Sequence, residues 1–438
     1  MSESPKKRNL LSWYLDSNLL LRILAGLVLG AVVGLIVGPG IDVISPLGNL
    51  LVNLLKMIVM PLILTSLVVG AASINPSELG KIGIKIFVYY LLTSAVAVAI
   101  GLVAGNIFQP GANLDLGQAS EAAGRALTEP QIVDTLLAII PNNPFGALAQ
   151  GNVLPTIFFA LVFGIGIGYI RERDEERLQK AANLLFTFFE GAAEIMYVIV
   201  RWVLQYAPIG VFALIAVVFG RQGAQAFTSL GVVTLSTYAA FAVQIVVVYG
   251  LILIVSGLRY GRFFRGAREA MITAFVTRSS SGTLPVTMRN MDENLGVSRR
   301  VSSFTLPLGA TINMDGAAIY MGVCVLFIAN ATGVDLSLMQ QLTVVLTAVL
   351  ASIGSAGIPG AGAIMLLMVL NAAGLPVEAG TPVAAAYAMI LGIDALLDMG
   401  RTMTNVTGDM VGTAIVAKSE GELDKARWDA KNVTIVKE

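Results

Sequence analysis

The chain contains 438 residues, of which 56% are hydrophobic and only 13% are charged. Soluble domains average about 45–50% apolar and about 25% charged residues, so this composition predicts a polytopic membrane protein rather than a large soluble core. The net charge of zero argues against nucleic-acid binding, and the absence of histidine excludes Ser-His-Asp hydrolysis, HExxH zinc sites and histidine proton relays.

Apolar runs long enough to cross a membrane follow one another along the chain. The fourth run is broken, and Pro208-Ile209-Gly210 interrupts the fifth. The eight predicted spans lie near residues 18–38, 47–73, 84–108, 131–170, 181–219, 229–257, 301–331 and 383–416. In the first span a glycine recurs at every fourth position, which predicts close packing against another helix. These glycines are Gly26, Gly30, Gly34 and Gly38.

Two further apolar runs, near 270–297 and 336–375, are broken at their middles by glycine, serine and proline. Their centres are similar, with TRSSSGTLPVT at 277–287 and ASIGSAGIPGAG at 351–362. Non-helical backbone at membrane depth needs protein or water to satisfy it, and paired broken segments of opposite orientation indicate the binding site of a transporter. Two glycine-rich loops outside the bilayer are the alternative.

Basic residues predict the topology, because cytoplasmic loops are enriched in lysine and arginine. The N-terminal residues 6–8, the RERDEER segment at 171–177 and Lys418 are all predicted to be cytoplasmic. Arg299 and Arg300 stay on that side only if the first broken run enters and leaves the membrane there. The prediction is an all-α polytopic membrane protein with eight transmembrane helices plus two oppositely oriented re-entrant hairpins. Both termini are predicted to lie in the cytoplasm of a prokaryotic cell.

A polar stripe runs along the last predicted span. At about 100° per residue, its members fall within an arc of roughly 100°. One charge at the bilayer centre costs about 2.5–3.5 kcal/mol on insertion scales, so several charges on one stripe indicate partners or a wet cavity. A purely structural ion pair between Asp398 and Arg401 is the alternative. The stripe consists of Asp394, Asp398, Arg401, Thr402, Asn405 and Asp409.

The stripe has the chemistry of a zwitterion receptor. Arg401 offers a planar fork for a carboxylate, and Asp398, one turn earlier, suits an ammonium group. Thr402 and Asn405 add neutral hydrogen bonds. An acidic amino acid is favoured, because backbone NH groups near Ser280 at a hairpin tip can hold its second carboxylate.

A second cluster of oxygen ligands is predicted in the seventh span, within LGATINMDG at 308–316. Asn313 and Asp315 are polar in an apolar run, and Gly309 and Gly316 are predicted to let the helix unwind. Unwound carbonyls with a carboxylate suit a hard cation such as sodium. A helix kink with one solvated aspartate is the alternative.

With these motifs in place, the chain resembles the glutamate/aspartate transporter family, within the dicarboxylate/amino acid:cation symporters. Within that family, it is most similar to the archaeal sodium-coupled aspartate transporters. The resemblance covers nearly the whole chain and is strongest over residues 271–418. The motifs that carry it are RSSSGT, NMDG, GIPGAG and DMGRTMTNVTGD, in that order.

The resemblance implies inverted repeats, a homotrimer embedded in lipid, and elevator-type transport in which one part of each protomer crosses the membrane. The scaffold and trimerisation part would comprise residues 1–75 and 109–220, with spans 1, 2, 4 and 5. The transport part would comprise residues 76–108 and 221–438, with spans 3, 6, 7 and 8 and both hairpins.

The resemblance also implies roles for individual residues at the substrate site. Arg401 would bind the side-chain carboxylate of the substrate, and Asp398 would bind its amino group. The α-carboxylate and the rest of the pocket would involve Thr402, Asn405, Ser280, Arg278, Ile358 and Gly362. The extracellular gate would be the second hairpin tip, formed by Ile358, Pro359, Gly360, Ala361 and Gly362.

Three sodium sites are implied in the same way, and no other cofactor. The first would use Asp409 with carbonyls of Gly309, Asn313 and Asn405. The second would use carbonyls of Thr311, Ser352, Ile353 and Ser355 near the sulfur of Met314. The third would use Asp315, Asn313, Thr93, Ser94 and Tyr90.

One position departs from the pattern of the acidic amino-acid carriers. Ala317 follows NMDG where those carriers usually have threonine, and alanine there resembles the neutral amino-acid exchangers, which lack an arginine matching Arg401. The prediction remains sodium-driven uptake of L-aspartate, or of L-glutamate. A neutral amino-acid or dicarboxylate carrier, proton coupling and an anion channel are the alternatives. An intramembrane serine hydrolase using Ser279, Ser280 or Ser281 is disfavoured, because the chain has no histidine base.

Overall fold

The computed structural model describes residues 17, 19–72, 79–114, 116, 140–223, 225–352, 357 and 359–429. Over these ranges the chain is α-helical, and its β-pairing is limited to an isolated bridge between Val297 and Leu423. Six helical segments of the described chain are long and apolar enough to cross a membrane. An all-helical polytopic architecture is therefore confirmed, whereas the count of eight spans stays a prediction.

Short 3-10 and π-helical segments separate some of the α-helices. A 3-10 segment occupies Gly38–Ile44, and π-helical segments occupy Leu79–Gly83, Val243–Val248 and Asn290–Asn294. The α-helices are α1 Leu19–Val37, α2 Ser45–Ala72, α3 Ile84–Phe108, α4 Pro144–Gln150, α5 Val153–Arg171, α6 Glu176–Gln222, α7 Gln225–Ala242, α8 Tyr249–Val255, α9 Tyr260–Thr277, α10 Ser280–Arg289, α11 Arg299–Ile312, α12 Asp315–Ala331, α13 Leu338–Ser352, α14 Ala361–Ala372, α15 Pro382–Ser419 and α16 Lys425–Asp429.

Close packing between α1 and α6 confirms the meaning of the glycine ladder. A Cβ atom at Gly26, Gly30 or Gly34 would lie 2.5, 2.6 or 2.3 Å from a backbone oxygen of α6. Gly38 lies in the connection that follows α1, with a positive φ of 67°, and its carbonyl oxygen would lie 2.7 Å from a Cβ atom at Gly220 of α6. The glycines of α1 therefore allow the two helix backbones to touch, as small residues do between membrane helices.

The prediction that Pro208-Ile209-Gly210 interrupts the fifth span is wrong. Helix α6 runs unbroken for 47 residues through Pro208. Neighbouring helices support this stretch: the backbone of Pro208 packs against Gly26, and a Cβ atom at Gly210 would lie 2.5 Å from the Cβ of Leu51. Packing from both sides lets a membrane helix tolerate the proline, which removes one backbone donor without ending the helix.

Two helical hairpins meet at their tips. In the first, α9 and α10 join through Arg278, which has a left-handed φ of 55°, and Ser279. In the second, α13 and α14 flank residues 353–360. The hydroxyl of Ser279 donates to the carbonyl of Gly357 at 2.7 Å, and the backbone N–H of Ser281 donates to the same oxygen at 3.3 Å. The contact joins the two similar sequence motifs in space.

The seventh predicted span is interrupted between α11 and α12. Asn313 and Met314 leave the helical conformation, with ψ angles of 82° and 52°. The predicted break is thus confirmed, but the role given to the glycines is wrong, because both lie inside the flanking helices. A Cβ atom at Gly309 would lie 2.5 Å from Oδ1 of Asp409, and one at Gly316 would lie 2.1 Å from the carbonyl oxygen of Arg401. These glycines let α15 approach the break.

Hydrogen bonds of residues 420–429 connect the end of α15 to the base of the first hairpin. Ser298 donates its backbone N–H to Glu422 O at 3.0 Å, and Asp424 donates its own to Gly296 O at 2.8 Å. Arg262 then donates through Nε to Trp428 O at 2.9 Å. The Trp428 side chain is buried.

Trp428→Ala is expected to destabilise this attachment by about 3–5 kcal/mol, because truncation of a buried tryptophan loses both burial and packing. Thermal unfolding of the purified protein in detergent measures the effect as a lower midpoint. Trp428→Phe keeps most of the ring and should recover most of the loss. Equal midpoints for Trp428→Ala and the parent would show that the C-terminal segment contributes nothing to stability.

Candidate functional site

A small cavity lies between α15, the α11–α12 break and the two hairpin tips. It brings together every predicted substrate-binding residue except Ile358, which lies outside the described residues. Residues from the two hairpins, the break and the polar stripe thus reach one space. The lining residues are Arg278, Ser280, Met314, Ala317, Gly357, Ala361, Gly362, Asp398, Arg401, Thr402 and Asn405.

The guanidinium of Arg401 is enclosed in this cavity, with 3% of the residue exposed. Its Nε donates to Oδ1 of Asp398 at 3.1 Å, so the ion pair considered as a structural alternative is formed. Its Nη2 lies 2.8 Å from the same oxygen, but has no aligned hydrogen-bond acceptor in the described part of the chain. A guanidinium has five N–H donors. Arg401 therefore keeps donor capacity for a further carboxylate.

Asp398 connects the stripe to the second hairpin. Its Oδ1 accepts a hydrogen bond from Thr402 Oγ1 at 3.2 Å, and its Oδ2 accepts one from the backbone N–H of Gly360 at 3.2 Å. On the same hairpin, a Cβ atom at Gly362 would lie 2.2 Å from Nη1 of Arg401. Both charges of the pair therefore touch residues predicted to form the gate.

A second polar cluster surrounds Asp409, farther along α15. Its Oδ1 accepts a hydrogen bond from Asn313 Nδ2 at 2.9 Å. Asn405, one turn earlier, accepts from Gly316 N at 2.7 Å through Oδ1, and its Nδ2 lies 3.1 Å from the sulfur of Met314. The side chains of the interrupted segment thus bind directly to the stripe.

Asp315, at the start of α12, forms the third cluster. Oδ1 accepts from Ser94 Oγ at 2.8 Å, and Oδ2 accepts from Tyr249 OH at 2.7 Å and from Gln244 Nε2 at 3.2 Å. Thr93 Oγ1 lies 3.4 Å from Oδ1 of Asn313, which links this cluster to that of Asp409. Asp315 and Asp409 are buried, and their hydrogen-bond partners among the described residues are all neutral. Buried carboxylates of this kind favour a bound cation or a proton.

Two groups of predicted sodium ligands stay predictions. The hydroxyl of Tyr90 donates to the carbonyl of Thr305 at 2.9 Å. The same hydroxyl lies beside Gly309, where a Cβ atom would be 2.6 Å from it. In the second set the predicted ligands are backbone carbonyls, and the hydroxyls of Thr311 and Ser352 donate to other carbonyls of their own helices. Ile353 and Ser355 lie outside the described residues.

Comparison with known proteins decides the family. The sequence profile of the sodium:dicarboxylate symporter family matches residues 19–419. The chain belongs to this family. The prediction that it is not an enzyme is therefore confirmed, and the chain is a multi-pass membrane transporter.

Several bacterial symporters and transport proteins are similar over nearly the whole length of this symporter. The proton/sodium-glutamate symport protein of Geobacillus stearothermophilus is 34% identical over 95% of the chain and 96% of its own length. The proton/glutamate-aspartate symporter of Escherichia coli K12 is 33% identical over 95% and 94%. The C4-dicarboxylate transport protein of Rhodospirillum rubrum is 34% identical over 93% and 89%. Overall similarity therefore does not separate amino acids from dicarboxylates.

Two contacts of Arg401 in this symporter were missed at the sequence level. Asp394 was on the predicted stripe without a role, and its Oδ1 lies 3.2 Å from Nη1 of Arg401. The ring of Tyr320 stacks on the guanidinium, with Cζ 4.6 Å from the ring centroid. Tyr320 follows Ala317 by three positions on α12, so helical spacing places both on one face. This helical spacing is the feature of the sequence that could have placed Tyr320 near the site.

Proposed function

We propose that this symporter couples inward sodium movement to the uptake of an acidic amino acid, L-aspartate in the first place and L-glutamate in the second. The observation that carries the proposal is that a guanidinium and a carboxylate lie side by side in one buried cavity. Arg401 retains N–H groups without an aligned acceptor, and Asp398 lies beside it at 2.8 Å. A carboxylate and an ammonium group on the same small molecule complement this pair.

Asp398 favours an amino acid over a dicarboxylate. A C4-dicarboxylate has no cation to offer this carboxylate, so binding would leave two like charges close together in a buried site. An α-amino acid brings an ammonium group to the same position. The second carboxylate of aspartate can then bind the hairpin tip at Ser280, the first residue of α10, since the N-terminus of a helix favours an anion.

Sodium coupling is supported by the two buried carboxylates with neutral partners, Asp315 and Asp409. Hydroxyl, amide and carbonyl oxygens around them suit a hard cation. These groups can bind the cation without gaining or losing a proton. The predicted ligands Thr93, Ser94 and Asn313 lie within this network. Proton coupling is the second candidate, because two of the relatives named above carry proton and sodium, or proton alone, in their names.

The transport mechanism that we propose is an elevator within a homotrimer in the cytoplasmic membrane, with both termini inside. Residues 1–75 and 109–220 would form the scaffold, and residues 76–108 and 221–438 would move with the substrate. Helices α1 and α2 each pack on α6 through the glycine contacts described above. The tip of the second hairpin, residues 358–362, would be the extracellular gate.

Uptake of radiolabelled L-aspartate into proteoliposomes tests the proposal. A sodium gradient or a proton gradient is imposed in turn, with unlabelled glutamate, serine or succinate as competitor. Sodium-dependent uptake that yields only to acidic amino acids is expected. Strong competition by succinate would contradict the ammonium role of Asp398, and uptake driven by protons alone would contradict the sodium assignment.

Ala317→Thr is expected to raise the affinity for L-aspartate about two- to tenfold, because one added hydroxyl contact is worth about 0.5–1.5 kcal/mol. Ala317 lines the cavity beside Arg401. Competition binding measures the effect, and Ala317→Val is the matched control, since it adds the same volume without a hydroxyl. A gain with valine equal to that with threonine would show that packing, not hydrogen bonding, limits affinity.

A further inference from the structure

A π-helical segment, Val243–Val248, separates α7 from α8. In such a segment the backbone hydrogen bonds join residues five positions apart, and the insertion is frequent at functional sites. Here the backbone N–H of Tyr249 donates to the carbonyl of Gln244, which is a bond of this type. In an α-helix these two residues would point about 140° apart, since each residue turns the chain by about 100°. The π turn instead brings them to one face.

Both side chains reach the same atom. Tyr249 OH donates to Oδ2 of Asp315 at 2.7 Å, and Gln244 Nε2 donates to it at 3.2 Å. Both residues are completely buried. Oε1 of Gln244 has no hydrogen-bond donor in the described part of the chain. The amide thus leaves its own oxygen unsatisfied while its NH₂ group stays on Asp315.

The other oxygen of Asp315 faces a different helix. Oδ1 accepts from Ser94 on α3, next to Thr93, and these are residues of the proposed third sodium site. The two donors from the π segment therefore occupy one side of the carboxylate, and the proposed ion ligands occupy the other. Donors on Oδ2 fix the plane of the carboxylate, so Oδ1 keeps its direction toward α3.

Tyr249 also contacts the helix that carries Asp409. A Cβ atom at Gly408 would lie 2.4 Å from Tyr249 OH and 2.7 Å from Nδ2 of Asn313. The hydroxyl lies 3.4 Å from Thr404 O, which is longer than its bond to Asp315. One hydroxyl thus sits between Asp315 and the turn of α15 that precedes Asp409.

We propose that Gln244 and Tyr249, aligned by the π segment, are positioning residues that orient Asp315 for sodium. The inference rests on the proposed sodium role of Asp315. Outer-shell partners of this kind typically change metal affinity about 10- to 100-fold when they are removed. The effect falls on the ion, because neither side chain lines the substrate cavity.

The test compares Tyr249→Phe and Gln244→Met with the parent protein in detergent. Two readouts are used: the shift of the thermal unfolding midpoint with sodium concentration, without aspartate, and aspartate affinity by calorimetry at low and saturating sodium. We expect the sodium concentration for half-maximal stabilisation to rise about tenfold in each variant. Aspartate affinity should fall at low sodium and return to within about twofold of the parent at saturating sodium.

Two controls make the result specific. Tyr238→Phe removes a hydroxyl on the neighbouring α7 that donates to Leu396 O, away from Asp315, and should leave the sodium dependence unchanged. Asp315→Asn should raise the required sodium concentration by itself, and adding Tyr249→Phe to it should have no further effect.

The outcomes separate this inference from the function on which it rests. A change in Asp315→Asn with no change in Tyr249→Phe or Gln244→Met would overturn the positioning role and leave the sodium site standing. No change in Asp315→Asn would overturn the sodium role of that carboxylate. A loss of aspartate affinity in Tyr249→Phe that saturating sodium does not restore would assign Tyr249 a purely structural role.

Discussion

Arg401→Gln is expected to lower the affinity for L-aspartate by at least about 100-fold, equivalent to about 3 kcal/mol. The physical reason is the loss of the two parallel charge-assisted hydrogen bonds that the proposed site would make to the substrate carboxylate, each worth about 1.5–3 kcal/mol. Serine has no side-chain carboxylate, so its affinity as a competitor should fall by less than the affinity of aspartate. Equilibrium binding of labelled aspartate, with serine and glutamate as competitors, measures both effects.

The structure dictates the design of this experiment. Removal of the guanidinium leaves Asp394 and Asp398 buried without their counter-charge, and breaking such a group costs about 3–5 kcal/mol of stability. Arg401→Lys keeps the positive charge but not the planar fork, so it should stay folded and still lose most of the affinity. Arg221→Gln is the control, since Arg221 pairs with Asp42 at an exposed position. Full aspartate affinity in Arg401→Lys would contradict a bidentate carboxylate site.

The second large effect is expected for Asp409→Asn, which removes one negative charge with almost no change in volume. Asp409 is buried and accepts a hydrogen bond from the neutral amide of Asn313. An ionised ligand is worth about 1.5–3 kcal/mol, so the sodium concentration required for half-maximal aspartate binding should rise about 10- to 100-fold. Calorimetric titration of aspartate at a series of sodium concentrations measures this shift.

A carboxylate outside the site provides the comparison for Asp409→Asn. Asp335 lies in the connection between α12 and α13, so Asp335→Asn should leave the sodium dependence as it is in the parent. If Asp409→Asn shifted the pH dependence of uptake but left its sodium dependence intact, Asp409 would be a proton carrier. The sodium proposal for this carboxylate would then fail, whereas Asp315 would still need its own test.

The experiments on Arg401 and Asp409 report on different steps. In the proposed function, Arg401 would act on substrate selectivity at saturating sodium, and Asp409 would act on the sodium concentration required to reach that state. Arg401 Cζ and its aromatic partner Tyr320 lie on the substrate side, and Asp409 contacts the helix break at Asn313. Asn405 lies between them and bonds to Met314 and Gly316 on the same break. This segment directly connects the proposed ion site with the proposed substrate site.

The polar stripe was predictable because helical periodicity is a local property. Asp398, Thr402 and Asn405 share one face of α15, and all three line the cavity. The break at Asn313 was equally visible, as polar residues and glycines interrupt an apolar run. The sequence did not show why glycine is required at these two positions. The close approach of α15, and not their own helices, leaves no room for a Cβ atom at Gly309 and Gly316.

The sequence by itself determined the membrane class, the apolar segments and the residues that carry charge within them, because composition and periodicity act over one or a few helical turns. Only the tertiary structure decided the partners of those charges. Tyr249 and Asp315 are 66 positions apart, and Asn313 and Asp409 are 96 apart, yet each pair is hydrogen-bonded. Such contacts depend on how whole helices pack, as does the continuity of α6 through Pro208. The packing of the helices decides which residue pairs with a buried charge.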